Sequence, residues 1–295
     1  MATTQLCECS DEDTRAALDS FKKTSVLQDL TSMENQVIVI TGGGDGIGQA
    51  LVRAVLEVKG RVAVIGLRDS PSEEFWEATT LAKDSQLKYY SLLHSADVSK
   101  YDELKRIFDQ IVRDFDSIDG LIACAGICIE KPFLDHSKED VYKLLGVNSA
   151  GLLFSVQLAC RAMMKNNIEE RTSRGSVILI GSIATTCHCE SQGLSAYSAS
   201  KGAAKGLLHG LSVELAPLGI RVNMISPGHI VTNMSVGQFK ARPELETIMK
   251  QAVPMGRMGH RRDLKGAAIY YLSNASLYTT GSEVVISGGL HAGRL

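Results

Sequence analysis

Gln36-Val-Ile-Val-Ile-Thr-Gly-Gly-Gly-Asp-Gly-Ile-Gly48 joins two kinds of sequence that fold differently. Its first half, 36–41, is a short unbroken apolar run, largely β-branched, the pattern of a strand buried on both faces in a parallel sheet. Its second half is mostly glycine, and a helical pattern follows over 46–58. Glycines between a strand and a helix let the backbone turn tightly and approach a pyrophosphate, whose charge meets the free N–H groups and dipole at the helix N-terminus. The bland alternative is an ordinary strand–helix turn, so the rest of the chain has to decide.

Outward from that junction the alternation continues. Strand-like runs lie at 61–65, 88–93, 119–126, 176–181, 220–225 and 283–287. Helical patterns lie between them at 72–84, 99–115, 137–166, 196–215 and 263–273, two of them opened by capping-box spacings, Ser99-x-x-Asp102 and Ser137-x-x-Asp140. Strands alternating with helices predict an α/β protein: one Rossmann-like domain, a doubly wound parallel sheet of about seven strands with helices on both faces. The expected domain covers 35–295, preceded by a polar, loosely held extension over 1–34 with a possible short helix at 13–22.

With 44% hydrophobic and 22% charged residues the chain can bury a sizeable core. A net charge of -2 offers no electrostatic footprint for nucleic acid or an anionic membrane. No unbroken apolar run reaches the ~18–20 residues that cross a bilayer, and the acidic start, with Glu8, Asp11, Glu12 and Asp13, is unlike a signal peptide. The expectation is a cytoplasmic protein. Seven cysteines, an odd count, then read as reduced thiols. Cys7/Cys9 and Cys187-His188-Cys189 lack the spacing of structural zinc pairs, so no metal is expected.

Ser195-Ala-Tyr-Ser-Ala-Ser-Lys201 carries the second piece of chemistry. Tyr197 and Lys201 sit four apart on a helix and share one face. A free phenol titrates near pH 10, and an ammonium within about 4–6 Å lowers that value by favouring the phenolate. A tyrosine tuned in this way can exchange a proton with an alcohol or a ketone. Ser182 closes the strand at 176–181, at the sheet end where ligands of open α/β folds bind. There is no G-x-S-x-G elbow and no matching His/Asp order, which disfavours a serine hydrolase. At the end of the second strand, Gly66 and Leu67 offer no carboxylate for a ribose 2′-hydroxyl, whereas Arg68 can pair with a 2′-phosphate. That favours NADP(H) over NAD(H), against two counter-signals, Asp69 and Asp45.

The spacing Gly42-x-x-x-Gly46-x-Gly48, with Ser182, Tyr197-x-x-x-Lys201, Asn148 in Val147-Asn-Ser-Ala-Gly151 and Pro227-Gly228, resembles the short-chain dehydrogenase/reductase family over about 35–290, with a texture like its fungal polyol and ketose reductases. The resemblance implies an oxidoreductase that interconverts a ketone and a secondary alcohol. Ser182 would bind the substrate oxygen, Tyr197 exchange its proton, Lys201 support the tyrosine and the nicotinamide ribose, and Asn148 hold a water beside the lysine. It also implies nucleotide contacts from Gly42, Gly44, Asp45, Gly46, Ile47, Gly48 and Arg68, from Asp97 and Val98, from Ala125 and Gly126, and from Pro227, Gly228, Ile230 and Thr232. Residues 229–260 would form a substrate lid, and the assembly would be a homotetramer or homodimer. Two departures stand out: Cys124-Ala-Gly126 where relatives read Asn-Ala-Gly, and Ser287-Gly-Gly289 for Asp-Gly-Gly. The alternatives are a non-redox cyclase or isomerase on the same nucleotide site, and a nucleotide-sensing scaffold.

Overall fold

Seven parallel strands form one sheet in the order β3-β2-β1-β4-β5-β6-β7. The computed structural model describes residues 27–67, 73–79, 87–91, 98–167, 173–188 and 192–293. The strands are β1 (Val37–Thr41), β2 (Arg61–Gly66), β3 (Leu87–Ser91), β4 (Gly120–Ala123), β5 (Gly175–Ile180), β6 (Ile220–Pro227) and β7 (Glu283–Ile286). The strand order reverses its progression across the sheet between β1 and β4, which pair in parallel at Val39↔Leu121 while β1 also pairs with β2 at Val39↔Ala63. That switch point opens a crevice beyond the carboxyl ends of the two strands.

Alternate strand residues feed two separate cores. Val37 and Val39 pack on one face with Phe108, Phe115, Val156 and Leu208, while Ile38 and Ile40 pack on the other with Leu51, Val55 and Leu272. The first face is covered by α3 (Tyr101–Phe115), by a long helical stretch and by α6 (Ser195–Leu215); the second by α1 (Gly46–Glu57), α2 (Glu73–Ala78) and α9 (Lys265–Leu272). The long stretch consists of α4 (Lys138–Leu145), a π-helical turn at Gly146–Gly151 and α5 (Leu152–Met163). As a whole, Lys138–Met163 is long and apolar enough to cross a membrane; here it is a core helix, with Leu144, Val147, Leu152, Val156 and Met163 buried.

Several sequence expectations need adjusting. Only Ser137 caps as its pattern suggested: its hydroxyl accepts from Asp140 N (3.1 Å) and its own N–H donates to Asp140 Oδ2 (3.0 Å). At Ser99-x-x-Asp102 the helix begins one residue later, behind Lys100, with no side-chain cap. The stretch after Thr232 is more ordered than a plain lid loop, holding α7 (Asn233–Ala241) and α8 (Glu244–Ala252). Of the proposed extension, residues 1–26 lie outside the described residues. A short helix at Leu27–Thr31 precedes Met33, which is fully buried and donates its N–H to Val58 O (2.9 Å).

Candidate active site

Beyond the carboxyl ends of β1, β4, β5 and β6 lies a continuous cleft. Its floor is the glycine turn. Gly42 has φ +69°, and a Cβ on it would stand 2.8 Å from Ala125 Cα; a Cβ on Gly48 would collide with the Gly42 carbonyl oxygen. Backbone therefore meets backbone with no room for side chains, leaving the start of α1 bare toward the cleft. Asp45 caps that helix, accepting from Gly46 N (2.7 Å) and from Asn233 Nδ2 (2.9 Å). Gly46, Ile47 and Thr232 line the same cleft. This cradle fits a dinucleotide pyrophosphate.

The turn at Cys124 is held through its backbone. Thr41 Oγ1 accepts from both Cys124 N and Ala125 N, each at 3.2 Å, tying the end of β1 to the turn after β4 without an amide side chain. Burial pushes the Cys124 thiol up to about 11. The next residue but one, Gly126, lies where a Cβ would be 3.2 Å from Asn148 Oδ1 and 3.3 Å from Lys201 Nζ, so the backbone is close to both.

Ser182, Tyr197 and Lys201 meet along one wall of the cleft, next to Pro227 and Gly228. Ser182 sits just beyond β5 and its hydroxyl accepts from Ala184 N (3.1 Å), which fixes its rotamer. Tyr197 stands in the first turn of α6 and Lys201 one turn further on. The lowering of the phenol expected from Lys201 is not the net result: burial pushes Tyr197 up to about 12, with the hydrogen bond to Ser182 acting in the opposite direction. The Lys201 ammonium is only 4% exposed, is lowered by that burial, and donates to Ile180 O (2.9 Å). A tyrosine in this state keeps its proton at neutral pH, is hydrogen-bonded to a serine and stands one helical turn from a buried lysine.

Asn148 stands one layer behind the cleft, fully buried in the π turn. Its Oδ1 accepts from Ile127 N and its Nδ2 donates to Ile127 O and Ser200 Oγ, all at 2.9 Å. The side chain thus pins the strand-end turn carrying Gly126 to the helix carrying Lys201. π turns frequently occur at functional sites.

The remaining sequence candidates fall elsewhere. Ile230 lines the adjoining cavity, which shares Ser182 and Tyr197. Val98 is buried against Gly151 of the π turn, and Gly44 lines neither cavity. Arg68 and Asp97 lie outside the described residues, as does Cys189 of the Cys-His-Cys run. Among the described residues no cluster of His, Cys, Asp and Glu suits a metal ion. Sequence reasoning missed Cys128, which lines both cavities and has no motif to mark it, and His229, which sits in plain view after Pro227-Gly228.

Comparison with known proteins adds a family. A family model described as Enoyl-(Acyl carrier protein) reductase matches residues 42–291. Sorbose reductase SOU1 of Candida albicans is 32% identical over 263 residues, covering 88% of this chain and 89% of that protein. An NADP-dependent mannitol dehydrogenase of Hypocrea jecorina is 31% identical, covering 89% of this chain and 95% of its own. Among solved structures, a short-chain type dehydrogenase/reductase from Mycobacterium marinum superposes with a TM-score of 0.79 at 29% identity, covering 90% of this chain and 99% of its own. An NADPH-dependent 3-quinuclidinone reductase from Rhodotorula rubra gives a TM-score of 0.76 at 28% identity, covering 98% and 97%.

Proposed function

Because this chain belongs to the short-chain dehydrogenase/reductase family, an oxidoreductase family, we propose that it catalyses the NADPH-dependent reduction of a ketone to a secondary alcohol, or the reverse. The observation that carries this reading is the meeting of Ser182, Tyr197 and Lys201 on the wall of a cleft whose floor is the glycine turn. NADPH, when bound, supplies the hydride. Gly42, Gly46 and Gly48 with the start of α1 would hold its pyrophosphate, and Lys201, Pro227, Gly228 and Thr232 the nicotinamide end.

Ser182 donates a hydrogen bond to the substrate oxygen and Tyr197 delivers its proton there. Tyr197 carries that proton at neutral pH, since its pKa is about 12. The buried Lys201 favours the phenolate left behind by the transfer. Asn148 keeps the Gly126–Ile127 turn and α6 in register, and beside it a water would relay protons to Lys201. Arg68 supports NADP over NAD through a 2′-phosphate pairing. The substrate class is a polyol or ketose, or a ketone from secondary metabolism. Residues 229–260 act as a lid, supported by the Arg242 Nη1–Glu130 Oε1 ion pair (2.8 Å) joining that segment to the loop after β4. The assembly is a homotetramer or homodimer, supported by Gly202, Gly206 and Gly210 on α6, where an added Cβ meets nothing within 4 Å.

Ketone-dependent loss of nicotinamide absorbance tests the reaction. Tyr197→Phe is expected to slow it about 10²–10⁴-fold while nucleotide binding, followed by fluorescence, stays within twofold of the parent. Undiminished turnover would remove Tyr197 as the proton donor.

A further inference from the structure

The proposed reaction uses the hydroxyls of Ser182 and Tyr197, yet the cavity they border is lined by two more side chains that each carry a buried polar atom without a partner. His229 Nε2 and Gln192 Oε1 are shielded from solvent and make no hydrogen bond, and both residues line the cavity that contains Ser182 and Tyr197. They arrive from different segments, His229 two residues past the end of β6 and Gln192 in the segment leading into α6. The orientation of Gln192 is set on its other side, where Nε2 donates to Glu130 Oε2 (3.4 Å), leaving the carbonyl oxygen as an acceptor awaiting a donor. Burial lowers the His229 pKa below its ordinary value, so the ring is neutral near pH 7 and Nε2 can donate or accept according to tautomer.

The cavity lining is chiefly hydrocarbon, from Ile183, Leu194, Ile230, Met249, Met258 and Leu290, with His188 and Thr232 among its polar members. Two half-buried hydroxyls of the lining are tied to each other's backbone: Ser235 Oγ accepts from Thr232 N (2.9 Å) and donates to Thr232 O (2.9 Å), and Thr232 Oγ1 accepts from Ser235 N (3.3 Å). Buried polar atoms without partners cost free energy, which a bound molecule recovers when it supplies the partner. The two orphan atoms therefore describe the ligand. A hydroxyl can donate to Gln192 Oε1 and can serve either tautomer of His229, whereas a second carbonyl or an ether can only accept.

We propose that His229 and Gln192 are specificity-determining residues that bind a hydroxyl of the substrate, and that the substrate is a hydroxyketone on a largely hydrocarbon frame. A sugar chain with a hydroxyl on every carbon would set several polar groups against Ile183, Leu194 and Met249 with no partner, a desolvation cost that disfavours it. The inference rests on the proposed reading that Ser182 and Tyr197 receive the ketone oxygen, and it narrows the substrate class of that same site.

Titration calorimetry of the full-length protein with NADP⁺, which cannot reduce the ketone, using cyclohexanone, 2-hydroxycyclohexanone and fructose as probes, tests the pairing. The parent protein is expected to bind 2-hydroxycyclohexanone at least tenfold more tightly than cyclohexanone, with fructose the weakest of the three. The tenfold preference should shrink to about twofold or less in His229→Phe and in Gln192→Leu. It should return in His229→Gln, which restores an N–H donor. Equal affinity of the parent protein for the two cyclohexanones, tightest binding of fructose, or a preference unchanged in both variants would overturn the proposal. Turnover is followed separately: a hydroxyl preference in binding with no oxidation of NADPH supports the pairing and counts against the proposed reaction.

Discussion

Asp140 shows how one carboxylate anchors a wall of the site. It closes the Ser137 capping box and receives Lys131 Nζ at 2.6 Å; the Lys131 backbone N–H in turn donates to Gly193 O (3.1 Å), next to Gln192. The Lys131 hydrogen bond, then the Ser137 backbone N–H, draw the Asp140 pKa down from 3.8 to about 2. A pKa lowered on folding means stability that is fully present above pH 3.8 and is lost as pH falls toward 2. Asp140→Asn should therefore be less stable than the parent at pH 7 and fall less steeply between pH 4 and 2, read from thermal midpoints across that range. An equal acid slope in both proteins would remove Asp140 from the account. Single residues were unevenly legible in the sequence. Ser137-x-x-Asp140 and Ser99-x-x-Asp102 are the same pattern, but only the first makes a cap. The hydroxyl of Thr41 holds the turn at Cys124 through a contact across 83 positions, which no local pattern can show.

At the scale of elements, the π turn at Gly146–Gly151 decides how the two halves of the site meet. Its Asn148 is fully buried and makes three hydrogen bonds, two of them to the backbone of Ile127. Asn148→Ala leaves Ile127 N and Ile127 O without their side-chain partner, at a cost of about 1–3 kcal/mol for each group left unsatisfied. The urea midpoint should fall accordingly with an unchanged slope, and turnover should drop as Gly126 and Lys201 lose their shared brace. Unaltered stability would mean Asn148 is not the brace described. Strands such as 36–41 and 61–65 were legible because a strand buried on both faces is apolar at every position. The π turn was not, because apolar residues three and four apart fit an unbroken helix equally well. The helices α7 and α8 were hidden by Pro243, which reads as a loop residue yet stands at the N-cap of α8.

For the whole molecule, the bare glycine stripe of α6 bears on assembly. Glycine inside a helix costs roughly 1 kcal/mol against alanine, and Gly202, Gly206 and Gly210 repeat it on one face where nothing within the chain approaches. Another copy packing closely there would repay that cost. Gly206→Leu should leave the fold intact while shifting sedimentation from an oligomer toward the single chain; an unchanged sedimentation profile would place the interface elsewhere. The doubly wound order of the sheet was legible from the alternation of strands and helices, whereas the meeting of side chains beyond it depended on long-range packing. The parallel sheet has a temporal consequence as well. Its crevice borrows from points as far apart as Gly42 and Thr232, so β6 and the turn after it must dock before the first glycine turn acquires its opposite wall. The closing of that crevice is therefore a long-range event of self-assembly, one that no local segment can complete alone.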